Sequence, residues 1–243
     1  LTPGTTAMQQ PNFRSSNSSR GTVSMGAMLH QPGFHSLPAK FSGKLNNLWG
    51  NLRSCLQDYF NDSIEQSRYA RIVAYHTHLF AAALQQLQGY SDKLQEAKLQ
   101  TQHDRAWKRQ RFAFDNVMEA ELITVYGNQP TPLHSYGGPV GIIYVLDGEL
   151  TVSRYSEANN EISNCTGISK LNCQAVNRYR LTQGTLIDSI LAPVVEMQAN
   201  TERCIFLNIH LRDQSSIPHY FYYPSYLSQE NEHFFARRVP SEW

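Results

Sequence analysis

"PLHSYGGPVGIIYVLDGEL", residues 132–150, decides how the rest of the chain reads. An apolar lead-in brings His134, then Tyr136 and a glycine pair. The apolar run 140–146 follows, then Asp147-Gly148 and a second run from Glu149. A short run rich in Val, Ile and Tyr fits a buried strand. Asp-Gly between two such runs predicts a β-hairpin, because a type I′ turn needs two residues tolerant of positive φ.

Working outward, the β texture starts after Phe112. Runs at 120–125, 141–146, 149–154, 184–190, 194–198 and 204–210 are separated by turn clusters such as Gly127-Asn128-Gln129-Pro130. Short strands at this spacing predict a sandwich or barrel rather than a βαβ sheet. Residues 156–176 read as a polar insertion carrying Cys165 and Cys173.

Upstream, Leu45, Leu48, Trp49, Leu52, Leu56, Tyr59 and Phe60 recur at helical steps. Asp62-Ser63-Ile64-Glu65 offers a cap for a second helix with Ile72, Tyr75, Leu79, Phe80, Ala83, Leu84 and Leu87 on its apolar face, ending near Gly89. Residues 93–111, charged and Gln-rich, allow a third helix. Residues 1–40 mix Pro, Gly, Ser, Asn and Gln without an apolar period, so they pack no core alone.

Net charge is +1, which argues against a nucleic-acid surface as the main purpose. Residues 1–57 nevertheless hold Arg14, Arg20, Lys40, Lys44 and Arg53 with no acid. Such a start has the composition of an organelle-targeting segment, or equally of a basic disordered tail. Four cysteines without zinc spacing fit a reducing compartment. The apolar runs are strand-length, so no transmembrane segment is expected.

Several of these stretches together resemble a known family. "PLHSYGG" (132–138), a glycine fourteen residues after His134, "LTVSRY" (150–155), "VVEMQANTERCIFLNIHL" (194–211) and "PHYFYYPSY" (218–226) are similar to the thiol dioxygenases of the cupin superfamily. The cysteamine dioxygenase and plant cysteine oxidase group is nearest, and the likeness covers residues 112–225. It implies an α+β, mainly β chain: a cupin double-stranded β-helix (jelly-roll) barrel at 106–225 after a helical segment at 41–105. Residues 1–40 are then an extended or disordered basic segment, and 226–243 a C-terminal tail.

The resemblance also implies a ferrous ion held by three imidazoles, a set that suits Fe(II). Carried over by position, the first ligand falls on His134, the second on Tyr136 and the third on Val195. A one-residue shift would offer Glu196 instead. The family's inward Asp is here Asn208, and the cysteine before its closing tyrosines is Tyr220, so the crosslink of some members cannot form.

Two readings follow. In the first the chain is catalytically inactive, holds no metal or cofactor, and serves as a structural or accessory subunit beside other protein subunits of a larger assembly. That assembly is expected in the mitochondrion, otherwise in the cytoplasm. In the second it is an active Fe(II) thiol dioxygenase acting on a small thiol or an N-terminal cysteine. Its metal would be held by His134, Glu196 and His210, with His219 as a further donor, and its catalytic set would be His134, Tyr136 and Tyr222. A metal-free small-molecule sensor is a third reading.

Tyr136 as a phenolate ligand would need a strong cation, given a usual pKa near 10; otherwise it fills the cavity and bonds a neighbour such as His134. His76 and His78 sit two apart on a helix, about 200° around it, and cannot share an ion. Cys165 and Cys173 read as free thiols or as a pair across their loop. The aromatic cluster Tyr220, Phe221, Tyr222, Tyr223 and Tyr226 fits a barrel-closing strand or a pocket lining. Gly137-Gly138 opens no helix and so makes no phosphate loop.

Overall fold

Leu45, Trp49, Leu52, Leu56 and Tyr59 form one buried stripe along α1 (Gly43–Asn61), as their spacing predicts. The structure, a computed structural model, describes residues 37–38, 43–62, 66–99, 107–127, 129–158, 167–212, 219–225 and 233–240. Ser63, Ile64 and Glu65 of the expected cap lie outside these residues, as do Cys165 and Tyr226. In α2 (Gln66–Gln85) the buried face is Val73, Thr77, Phe80, Ala81 and Leu84. The apolar stripe read from Ile72, Tyr75 and Leu79 is therefore rotated, and Tyr75 is 60% exposed. Trp49 packs on Phe80, ring centroids 5.6 Å apart, joining the two helices. A turn breaks the pattern before Gly89, which lies inside α3 (Gln88–Leu99).

The third helix thus ends at Leu99 and does not reach Arg111, as residues 93–111 had suggested. Residues from Trp107 form β2 (Trp107–Phe114), first of the long strands. With β1 (Leu37–Pro38), β3 (Met118–Tyr126), β10 (Arg203–Leu211), β5 (Val140–Asp147) and β8 (Gly184–Asp188) it builds one sheet, in the order β1-β2-β3-β10-β5-β8. The second sheet closes into a ring in the order β11-β12-β7-β6-β9-β4. Its strands are β4 (Leu133–Ser135), β6 (Glu149–Ala158), β7 (Ile168–Arg180), β9 (Val194–Ala199), β11 (Tyr220–Pro224) and β12 (His233–Pro240).

The cores of the two sheets, β3-β10-β5-β8 and β7-β6-β9-β4, have the strand order of a double-sheet jelly roll. The chain therefore has the cupin-type double-stranded β-helix, mainly β, with a helical segment before it. Two sequence expectations are corrected. The polar insertion at 156–176 is largely strand: β6 runs to Ala158, and β7 pairs with it from Ile168. The segment at 226–243 is not simply a tail, because β12 pairs with both β7 and β11.

The Asp147-Gly148 reading also changes. β5 pairs with β8 and β10, β6 with β7 and β9, so this dipeptide is a corner where the chain switches sheets, not a hairpin. Glycine is required there: φ is +77° at Gly148, and a Cβ would meet the Arg203 carbonyl oxygen at 2.4 Å.

Alternation along each strand sorts the first sheet into two faces. Met118, Ala120, Leu122, Ile142, Tyr144, Ile205, Leu207 and Ile209 face the helices and share one core with them. Ile123, Val125, Ile143, Val145, Cys204 and Phe206 face the second sheet, packing with Leu150, Val152, Val195, Met197 and Ala199. A third, smaller cluster within the ring holds Leu133, Leu171, Val194, Tyr222 and Ala236.

Asp115, in the β2–β3 turn, pins the helices to the first sheet. Its Oδ1 accepts from the backbone amides of Val117 and Met118, each at 2.8 Å. Its Oδ2 accepts from Trp49 Nε1 at 2.8 Å and Arg53 at 3.2 Å.

Candidate functional site

His134 and Val195 are direct cross-strand partners of β4 and β9. Residues opposite one another present side chains to the same face, about 4.5–5.5 Å apart at Cβ. Val195 is fully buried in the between-sheet core, and Tyr136, two residues beyond His134 on the same face, is buried there too. The three positions at which the thiol-dioxygenase pattern places its imidazoles therefore converge, carrying one imidazole, one phenol and one isopropyl group. These residues do not fit a three-imidazole iron.

His134 itself is in the posture of a ligand. Its Nδ1 donates to the Pro132 carbonyl at 2.7 Å, which leaves Nε2 as the unprotonated nitrogen. The ring packs on Trp107, centroids 5.2 Å apart. Burial holds its pKa down at about 4, with the positive charges of Arg109 and His219 adding to the effect and the Pro132 hydrogen bond opposing it. The imidazole is neutral at physiological pH.

Tyr136 does not bond His134 as its neighbourhood in sequence suggested. Its hydroxyl donates to Asn208 Oδ1 at 2.6 Å, and Asn208 Nδ2 donates to Glu121 Oε2 at 3.2 Å. Glu121 Oε1 accepts from Arg109 Nη2 at 2.6 Å and Nε at 3.1 Å. The phenol, the amide, the carboxylate and the guanidinium form one connected chain, which fixes the amide orientation. Burial pushes the Tyr136 hydroxyl far above its usual pKa, and the Glu121 charge adds to the shift. Burial alone would also raise the Glu121 carboxyl, but Arg109, His210 and its hydrogen bonds outweigh that and hold it below the usual carboxylate range.

The glycines of the opening motif make room for these rings. A Cβ on Gly141 would lie 2.4 Å from the Tyr136 hydroxyl and 2.6 Å from both His210 Cβ and the Ile209 carbonyl oxygen. A Cβ on Gly138 would meet the Leu211 carbonyl oxygen at 2.0 Å and His210 Nδ1 at 2.9 Å.

The substitute metal set His134, Glu196 and His210 is not brought together. Glu196 shares a strand face with Val194, whose side chain packs with Leu133, Leu171 and Tyr222 in the ring cluster. His210 does face the between-sheet space with Asn208, as alternation along β10 predicts. The catalytic set His134, Tyr136 and Tyr222 is split as well. Tyr222 pairs with Leu133, one residue off the His134 register, and its hydroxyl donates to Glu157 at 3.1 Å on the ring side. Tyr220 lies under the Arg238 guanidinium, 4.6 Å from carbon to ring centroid. His219 is half-buried and close enough to His134 to depress its basicity.

Of the helical pair, His78 Nδ1 is 2.7 Å from the Tyr144 hydroxyl, while His76 Nδ1 is buried without a hydrogen-bond partner. Cys55, Cys173 and Cys204 are free thiols.

Sequence reasoning missed a second buried polar group. Glu119, Glu121 and His210 bring their ligand atoms within 4.8 Å of one another, and all three are buried. Among the described residues this is the one cluster of metal-ligand type. Glu119 Oε1 accepts from Arg111 Nε at 2.5 Å. The signal was present: acids at 119 and 121 alternate with Met118, Ala120 and Leu122, and Arg109 and Arg111 repeat the same spacing on the preceding strand.

No protein-family profile matches the chain, and no curated protein matches it. Among solved structures it is similar to a cupin superfamily protein from Desulfitobacterium hafniense, at 12% identity and TM-score 0.34, over 48% of this chain and 87% of that one. A cupin-2 domain containing protein from Shewanella frigidimarina matches at 17% identity and TM-score 0.33, over 51% and 92%. An RmlC-like cupin with a double-stranded β-helix fold from Methanocaldococcus jannaschii matches at 10% identity and TM-score 0.32, over 46% and 87%. The fold rests on the strand order described above. Among the described residues no helix is long and apolar enough to cross a membrane.

Proposed function

We propose that the chain is a cupin-fold protein without thiol-dioxygenase chemistry, serving as a structural or accessory subunit of a larger protein assembly; the basic, acid-free composition of residues 1–57 supports a mitochondrial location for it. One observation carries this reading: Val195 stands directly opposite His134, and Tyr136 is hydrogen-bonded into the between-sheet space. A valine offers no donor. A hydroxyl whose proton is committed to Asn208, with its pKa raised by burial, is a poor anionic ligand. A filled barrel remains a stable scaffold whatever chemistry its relatives perform.

The scaffold role draws further support from apolar side chains left at the surface. Ile190 and Leu191 are 70% and 65% exposed at the tip of the β8–β9 turn, where Asp188 Oδ1 accepts from both their amides. Solvent exposure of adjacent large apolar residues on a braced turn suits contact with another protein.

The test is oxygen uptake by the iron-supplemented full chain with cysteamine, and separately with a peptide beginning in cysteine. The expected result is no thiol-dependent uptake above buffer. Turnover that disappears in His134→Gln would overturn the proposal. Co-purification of stoichiometric partner chains from the native source would support the accessory role, and recovery of only the free chain would count against it.

A further inference from the structure

We propose that Glu119, Glu121 and His210 form a binding site for one divalent first-row transition-metal cation, separate from the position at which the thiol dioxygenases hold iron. None of the family's three positions, 134, 136 and 195, takes part.

The first support is the donor set. Two carboxylates and one imidazole match the N/O preference of Mn²⁺, Fe²⁺, Co²⁺ and Zn²⁺. The ligand atoms already lie within 4.8 Å of one another. Ligands at about 2.0–2.2 Å from a shared ion stand roughly 3–3.5 Å apart, so small rotations of the side chains close the set.

The second, independent support is His210. Its side chain is 5% exposed, and its Nε2 has no hydrogen-bond partner. Buried polar atoms are rarely left so, and each such case calls for an occupant or a role. Nε2 points toward Glu121 Oε2 but stops at 4.0 Å, too far for a hydrogen bond. The ring cannot simply retreat: its Nδ1 lies 3.2 Å from the Leu211 carbonyl oxygen, and the backbone of Gly138 passes close beside it.

The arginines fit a supporting role. Arg109 and Arg111 each hold Oε1 of a glutamate, and Glu121 Oε2, which accepts from Asn208 Nδ2 at 3.2 Å, keeps a second lone pair to offer. The guanidinium groups are on the solvent side, with side chains 30% and 54% exposed, against 3% and 7% for Glu121 and Glu119. Their charges are screened by water more than the inward carboxylate oxygens are. Hydrogen bonds from outer groups that orient ligating carboxylates are a regular part of metal sites.

The experiment uses the full chain, freed of metal by chelation and titrated with Co²⁺ at neutral pH. Visible d–d absorption and bound metal per chain are the readouts, with Zn²⁺ competition as a second probe. The expected result is one Co²⁺ per chain, displaced by Zn²⁺. Saturable binding should be lost in His210→Gln and, independently, in Glu119→Gln, each checked for folding by circular dichroism. His134→Gln should bind as the parent does. Arg111→Met should weaken binding by about 10–100-fold, the usual effect of removing an orienting partner.

Absence of saturable binding by the parent chain would overturn the proposal. So would binding that survives both His210→Gln and Glu119→Gln, or binding lost in His134→Gln instead. If one ligand variant fails to fold, the other decides. These outcomes are distinct from those for the proposed function, which turn on thiol-dependent oxygen uptake and not on metal content.

Discussion

The Tyr136 hydroxyl and the Asn208 carboxamide, 72 residues apart in sequence, meet at 2.6 Å in the space between the two sheets. Through Glu121 the contact reaches Arg109 near the barrel surface. Tyr136→Phe removes the proton that Asn208 Oδ1 accepts while keeping the ring. A buried acceptor left without its donor costs about 1–3 kcal/mol. Urea denaturation of the variant should show that loss with an unchanged m-value; a midpoint equal to the parent's would show that the contact carries no stability.

Gly141 and Gly50 should respond in opposite directions to alanine. A Cβ at 141 meets two groups at 2.6 Å, one of them backbone, so Gly141→Ala should destabilise strongly or prevent folding. At Gly50, within α1, nothing lies within 4 Å. Alanine there gains up to about 1 kcal/mol of helix propensity. Thermal melts of the two variants side by side check the contrast, and a destabilised Gly50→Ala would refute the helix argument.

His134 makes stability depend on pH in a defined window. Its folded pKa of about 4 lies below the usual value of 6.5. Between those values the unfolded chain binds the proton more readily, so stability is fully present above 6.5 and falls as pH drops toward 4. Each pKa unit is 1.36 kcal/mol, so the loss is about 3 kcal/mol. His134→Gln should flatten the stability–pH curve across this window; a curve of unchanged slope would contradict the buried neutral imidazole.

Asp115 acts at lower pH. Burial opposes its ionisation, but its hydrogen bonds from Trp49, Val117 and Met118 and the charge of Arg53 outweigh that and hold its carboxyl below the usual range. The stability it contributes is present above the unfolded carboxylate pKa and is lost as pH falls through the folded one. Asp115→Ala removes hydrogen bonds to a charged acceptor, worth about 1.5–3 kcal/mol each before compensation by water. Chemical denaturation of this variant should show a loss at neutral pH that shrinks in acid. An equal loss at every pH would mean that the charge is irrelevant.

What the sequence made legible was set by periodicity and spacing. α1 was readable because five buried residues keep helical steps, and the inward positions of Tyr136 and Val195 followed from the family spacing. Glu119 and Glu121 are obscured because the charged, Gln-rich run 93–111 also allows a helix, which separates them from the matching arginines of β2. β7 escaped because much of it is exposed on both faces, so its residues Lys170 to Arg180 lack apolar alternation. The Asp-Gly turn was recognised as a turn, yet local sequence does not say whether two strands joined by it pair or part into different sheets.

The register that places Val195 across from His134 has one more implication, which concerns mutational distance. β9 is held by ladders on both sides, to β4 and β6, and Met197 is further tied to Thr131, so the backbone at 195 is fixed. His134 already keeps its Nδ1 on a carbonyl and its Nε2 free of a proton. Two side chains, at 136 and 195, therefore separate this barrel from a three-imidazole arrangement, and no strand has to move.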